Sequence, residues 1–192
     1  MSNLKSLAIE KEELSLKLDN AITLPNIMNS DRLMNNLSET DMSQLIFEFQ
    51  KTDSILFYEN EALNQIIYSG GLKEIKNNRI GALLASWEGK ENLVRLQEVQ
   101  VAEAQKNLES YLYQNCDFKN LADNLIYYKI TGVDSVDSRK GNTNLLYSKE
   151  YENYIFQFVA YGSSIKESEY LDFENEKQSL ITLIDQELNN IN

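Results

Sequence analysis

Ser163-Ser164-Ile165-Lys166 has the S-x-x-K spacing, in which a serine nucleophile stands one helical turn from a lysine. The K-T-G that completes such a site is missing, since Lys51-Thr52-Asp53 is not one. The match is therefore expected to be ordinary helix. Asp134, Asp137, Asn142 and Asn144 supply oxygen atoms of the kind that surround calcium, but without EF-hand spacing. A plain solvated loop is the expectation there. Carboxylates are plentiful, yet no pair is marked as facing across a cleft, as glycoside hydrolysis requires. Cys116 is the only cysteine and stands beside Asp117. A negative neighbour disfavours thiolate, so a quiet thiol is expected.

The chain has 192 residues and no histidine. That removes Ser-His-Asp hydrolysis, Cys-His proteolysis and histidine-ligated zinc or iron. One cysteine allows neither an intrachain disulfide nor a cysteine-only zinc site. The glycines, at 70, 71, 81, 89, 132, 141 and 162, form neither G-x-G nor G-x-x-x-x-G-K, so no phosphate-cradling loop is written here. G-x-S-x-G is also missing. No catalytic residue, cofactor or metal site is expected. Net charge is −12, from 30 acidic and 18 basic residues. Phosphate backbones and anionic lipid heads repel such a surface, so neither is an expected partner.

What remains is contact chemistry. The segment 148–192 holds nine acids against three lysines and carries Tyr151, Tyr154, Tyr161 and Tyr170. Tyrosine gives a large apolar contact with one hydrogen bond, which suits interfaces. Two of the four must face inward on any helix. Tyr154, Tyr161, Glu167, Glu169 and Glu174 are the candidate interaction residues. Tyr111, Tyr113, Tyr127 and Tyr128 flank Cys116, and packing with the hydroxyls at the surface is expected of them.

Few breakers and many Leu, Glu, Lys and Gln residues favour helix, and no period-2 run marks a strand. The expected fold is all-α: an elongated helical bundle, one domain over 1–192. Two long antiparallel helices cover about 78–115 and 148–189. Shorter ones from 3–68 and 118–129 pack on them. A first helix over 3–22 stops at Thr23-Leu24-Pro25-Asn26. Short helices follow over Asp31–Leu37, over Met42–Lys51 after a Ser38-Glu39-Thr40-Asp41 cap, and from Ile55 to Tyr68. Ser69-Gly70-Gly71 closes the last of these, with at least one glycine at positive φ. Asn77 or Asn78 caps the central helix. Its Ile80, Trp87, Val94, Val101 and Leu108 recur every seven residues, with Trp87 a core or interface anchor. Glu91, Glu98 and Gln105 interrupt the companion seam, and Leu93, Leu96 and Val99 widen the apolar face instead. Residues 131–144 form the long polar loop. In the last helix the stripe runs Tyr151, Ile155, Phe158, Ile165, Leu180, Leu183, Ile184 and Leu188, with a bend at Gly162-Ser163-Ser164.

Two stretches carry a resemblance. From Leu63 to Trp87, a helix ends in Ser69-Gly70, and Leu72 and Ile75 lead to Asn77, which opens a long helix. Leu145-Leu146-x-Ser148-x-Glu150-Tyr151-x-Asn153 opens the last helix. Over about residues 55–190 the chain resembles a family of functionally uncharacterised bacterial envelope proteins. Gly81 stands where that family has arginine. The resemblance implies a short basic N-terminus, one membrane-spanning helix that this chain lacks, and a helical region on the periplasmic side of the inner membrane. Residues 1–22 would include the stalk after that span. The chain would then be an excised part, with Met1-Ser2-Asn3 added by cloning. The family offers no catalytic residues to carry over.

The leading expectation is thus a non-enzymatic, extracytoplasmic helical domain of a membrane-anchored protein. It would serve protein–protein interaction or envelope sensing, with an unidentified protein partner or a second copy of itself. The alternative is a cytosolic (cytoplasmic) acidic binding protein, for instance a toxin-neutralising one that covers a basic enzyme site.

Overall fold

The computed structural model describes residues 2–50, 61–125 and 141–191. Among them every regular element is helical: α1 (Ser2–Met28), α2 (Asp31–Met34), α3 (Glu39–Gln50), α4 (Glu61–Tyr68), α5 (Asn78–Asn115), α6 (Phe118–Asn124), α7 (Lys149–Glu167) and α8 (Glu169–Ile191). Two 3-10 helices, Gly71–Glu74 and Asn142–Tyr147, precede α5 and α7. The protein is all-α. Residues 55–60 and 126–129 of the expected helices, and 131–140 of the expected loop, lie outside the described residues.

Local chemistry sets the helix starts. Ser38 and Asp41 form a reciprocal cap: the Asp41 N–H donates to Ser38 Oγ at 3.1 Å, and the Ser38 N–H donates to Asp41 Oδ2 at 3.3 Å. Asn77 Oδ1 accepts from the N–H groups of Arg79 and Ile80 at 3.0 and 3.3 Å, which opens α5 where expected. Asp117 Oδ1 accepts from Lys119 and Asn120 to open α6.

Two compact units form. The first takes residues up to Lys11, 55–99 and 164–192. In it, α5 and α8 run antiparallel. Asn77 donates to Glu187, Trp87 packs on Phe173 at 4.9 Å between ring centroids, Lys90 pairs with Glu176, and Tyr170 donates to Glu98. From the Asn77–Glu187 pair at one end to the Glu98–Tyr170 pair at the other, positions on the α5 side rise while those on α8 fall. Ile80, Leu84, Trp87 and Val94 are buried in this unit with Ile165, Phe173 and Leu180. The second unit takes 12–54 and 100–163. Its core holds Leu14, Leu18, Ala21 and Leu24 of α1, Met42 and Ile46 of α3, Leu108 and Leu112 of α5, and Tyr151, Ile155 and Phe158 of α7. Each fully buried aliphatic or aromatic side chain contributes about 1.5–3 kcal/mol. Residues 12–22, part of the stretch the resemblance implies to be a stalk, supply Leu14, Leu18 and Ala21 to this core.

Several expectations need correction. Helix α1 does not stop at residue 22 but runs through Pro25 to Met28. Leu24 and Ile27 extend the buried stripe of Leu14, Leu18 and Ala21, and that burial outweighs one missing N–H near the helix end. Helix α2 ends at Met34, three residues short of Leu37. The last helix is interrupted at Ser168, not at Gly162-Ser163-Ser164. The Ser168 hydroxyl donates back to the Ser164 carbonyl at 2.6 Å, a bond that bends helices. Gly162 serves close packing instead, because a Cβ there would lie 2.6 Å from Leu18 Cδ2. Ile184 and Leu188, assigned to the apolar stripe, are exposed. On α5 the middle of the seam is inverted. Glu91 is 6% exposed, whereas Leu93, Leu96 and Val99 are 60%, 62% and 54% exposed. Glu91 accepts from Arg95 Nη2 at 2.5 Å, so its charge enters the seam already paired. The expected polar loop does not reach residue 144, because Asn142 to Tyr147 form a 3-10 helix.

At the α4 turn, Gly70 has φ +82° and a Cβ would meet open space. Only backbone strain opposes a side chain there. Gly81 is helical with equally open space around a Cβ. Gly70→Ala should therefore lower stability by about 1 kcal/mol, and Gly81→Ala should raise it by about 0.5 kcal/mol. Urea unfolding midpoints of the two variants check the opposite signs.

Candidate functional site

In the first unit, α5 and α8 border a groove of about 220 Å³. Leu93, Val94 and Phe173 supply its apolar lining, and Glu169, Asp172 and Glu176 its acids. The spacing explains the arrangement. Glu169, Asp172, Phe173 and Glu176 follow one another at three, one and three residues, so they share one edge of a helix. Trp87 backs the floor by packing on Phe173 with a tilt of 46°. Lys90, the one cation of the groove among the described residues, is bound to Glu176. A wider depression of about 440 Å³ in the same unit is lined mainly by polar side chains, among them Arg79, Gln178, Ser179 and Thr182. Lys177, half-buried on α8, has its ammonium pushed below the ordinary lysine value by desolvation.

The five candidate interaction residues are distributed as follows. Tyr154 and Tyr161 belong to the second unit, where Tyr154 is half-buried against Tyr111 at 5.7 Å and Tyr161 is 37% exposed. Tyr151 and Tyr170 are the two that face inward. Glu167, Glu169 and Glu174 belong to the first unit. Of these only Glu169 lines the groove, while Glu174 pairs with Lys11 at 2.8 Å. Sequence reasoning named Glu169 but missed Asp172 and Glu176, although their spacing around Phe173 was there to be read. The structural positions Ser69, Gly70, Gly71, Asn77 and Trp87 all lie in the first unit. Gly71 packs its α-carbon near the Ile66 carbonyl, where a Cβ would stand 3.1 Å from the oxygen.

The second unit contains a polar cluster of a different kind. Glu39 accepts from the Asn142 N–H at 2.6 Å, the Thr143 N–H at 3.0 Å and the Thr143 hydroxyl at 2.5 Å. Asn142, 1% exposed, reads the peptide of Asp117 with both ends of its amide: Oδ1 accepts from the Asp117 N–H at 2.7 Å, and Nδ2 donates to the Asp117 carbonyl at 3.1 Å. Tyr111 and Ser148 share a hydrogen bond of 2.6 Å, and Tyr111 stacks on Tyr151 at 5.8 Å. Asn142 is thereby committed to the backbone and is not free to join a calcium site. Asp134 and Asp137, the acids of that reading, lie outside the described residues, as do Tyr127 and Tyr128. Tyr113 is exposed and stacks on Phe118 at 5.3 Å. Ser163 and Lys166 lie within α7. Among the described residues no three Cys, Asp or Glu side chains converge as a metal-binding group, and no helix is long and apolar enough to cross a membrane.

Burial pushes the Cys116 thiol up to about 12, with Asp117 and Glu39 adding negative charge nearby. The Tyr151 hydroxyl is raised as well, first by burial and then by Cys116 and Tyr111. Cys116 should therefore react with a disulfide reagent at pH 8 roughly 10- to 100-fold more slowly in the native protein than in urea. Its native rate should keep climbing with pH beyond 9, where an ordinary thiol begins to level off. Stopped-flow labelling over pH 7–10 tests this. Asn142→Ala should cost about 1–2 kcal/mol, since it removes the amide that accepts from the half-buried Asp117 N–H, while the Asp117 carbonyl keeps its bond from the Leu121 N–H. Denaturant unfolding measures the loss.

No protein-family model, curated protein or solved structure matches the chain.

Proposed function

We propose that this chain acts by contact rather than by catalysis, and that the α5–α8 groove receives a basic amphipathic segment of a protein partner. The observation that carries this reading is the composition of the groove. An apolar floor of Leu93, Val94 and Phe173 stands beside Glu169, Asp172 and Glu176, on a chain of net charge −12. Such a surface favours a ligand with apolar side chains on one face and lysine or arginine beside them. In this reading the acids steer the encounter and fix register, while the floor supplies the affinity.

The setting we propose is the periplasmic side of a bacterial inner membrane, with the chain as the helical domain of an anchored protein. The support is the resemblance carried by Ser69, Gly70, Leu72, Ile75 and Asn77 and by the 145–153 stretch. The acidity of the chain favours a second setting, a cytoplasmic binder of a basic protein. The native gene separates the two. A basic stretch followed by about 20 apolar residues upstream of Met1 supports the anchor, and its absence supports the cytoplasmic setting.

The groove is tested with a labelled synthetic helix of about 18 residues, leucine on one face and lysine on the other. Wild type should bind it saturably, and more weakly as salt rises, because the Debye length falls from ~10 Å at 0.1 M to ~3 Å at 1 M. Glu169→Lys with Asp172→Lys should weaken binding roughly tenfold or more, and Phe173→Ala should do so without changing the salt dependence. Equal affinity of wild type and the charge-reversed variant would remove the groove from the account.

A further inference from the structure

The acids of the α5–α8 groove are not equivalent. Lys90 stands three residues after Trp87 and four before Val94, so its stem leaves α5 at the edge of the seam that faces α8. Its ammonium pairs with Glu176, and the two side chains are only 31% and 35% exposed. Glu169 and Asp172 also line the groove, yet neither pairs with a cation among the described residues. Seven residues separate Glu169 from Glu176, a rise of about 10 Å along α8. One end of the groove is therefore neutralised from within the chain, and the other is left negative. The N-terminus of α8 offsets part of that charge, but its dipole amounts to about half a unit against two carboxylates.

Phe173 stands between the two ends, four residues after Glu169 and three before Glu176. An apolar side chain seated on it has open carboxylates to one side and an occupied one to the other. A ligand cation brought to the open side meets unpaired acids. A cation brought to the Glu176 side must displace Lys90 or lie beside it, and juxtaposed like charges suppress a wrong partner.

We infer that Lys90 is a specificity-determining residue of this groove. It confines the basic residues of the bound segment to the Glu169–Asp172 end and rejects lysine or arginine at the Glu176 end. The inference rests on the peptide-binding reading above and adds to it the charge pattern of the partner. That partner is an amphipathic segment whose cations cluster at one end, with uncharged polar residues about two helical turns away. Discrimination of this kind needs a repulsive group as well as attractive ones, and Lys90 is the repulsive group.

Two labelled helices of about 18 residues, each with leucine on one face, test the inference. The first carries lysine along its whole polar face. The second carries lysine in its C-terminal half and glutamine elsewhere, and is free to seat either way round. Binding is measured at about 0.1 M salt, where a Debye length of ~10 Å mutes charges beyond the groove. Lys90→Met should tighten binding of the first helix roughly two- to fivefold, and at least about twofold more than binding of the second. Lys90→Arg keeps the charge and should keep the wild-type ratio of the two affinities. Lys106→Met removes the same charge from an exposed site in the second unit and should also leave that ratio unchanged. A Lys90→Met variant that shifts both helices equally, or a Lys106→Met variant that moves the ratio as far, would overturn the inference alone, provided that Glu169→Lys with Asp172→Lys weakens both helices. If that charge-reversed variant weakens neither, the groove reading itself has failed and the role of Lys90 falls with it.

Discussion

The single apolar stripe of α5 constrains what lies against it. A helix of 38 residues turns its side chains through about 100° at each step, so positions seven apart return to within about 20° of the same line. Ile80, Trp87 and Val94 hold that line in the first unit, and Val101 and Leu108 hold it in the second. In the first unit, α8 answers with Phe173 and Leu180; in the second, α7 answers with Tyr151, Ile155 and Phe158. In the first unit the antiparallel order of α5 and α8 is fixed by the contacts from Asn77–Glu187 at one end to Glu98–Tyr170 at the other. Glu91 is the exception on the stripe. Its burial is tolerable because Arg95, one turn later, brings the compensating charge on the same helix.

The same constraint creates the groove and the bare outer face. Where Glu91 takes a place in the seam, the leucines beside it turn outward. Leu93 then meets Phe173 at the groove, while Leu96 is left to water. Leu93 and Leu96 are both more than half exposed on one helix, and contiguous exposed apolar surface marks interaction sites. The chemistry of the surface is thus a by-product of how the core was packed.

The helices were legible because their signals are local. Ser38 with Asp41, Asn77 before a long apolar period, and the Gly70-Gly71 pair each act within a few residues, and each stands where the spacing places it. Pro25 misled because its own signal is local while the burial of Leu24 and Ile27 is not. Periodicity also cannot tell which of two adjacent stripes faces the core. Glu91, Leu93 and Leu96 therefore came out reversed: the deciding term was an ion pair and the shape of the opposing helix. Asn142 reads as loop chemistry in the sequence because its partners stand 25 and 103 residues away. The acids of the groove sat in plain helical register around Phe173, but nothing in the sequence says which aromatic the fold leaves at a rim.

The Glu39 carboxylate has a consequence for how the second unit comes together. The 3-10 helix Asn142–Tyr147 begins at Gly141, which has no side chain to cap it. Its first N–H groups are satisfied from across 103 residues of chain, and a Cβ at residue 141 would collide with the carboxylate that does so. This turn cannot be nucleated by its own sequence. It becomes stable only once α3 has arrived, so its folding is slaved to a contact of high sequence separation. The Asp117 peptide, read by Asn142, is fastened in the same event. The α5–α6 corner and the entrance to α7 are thus tied to α3 through one connected set of hydrogen bonds.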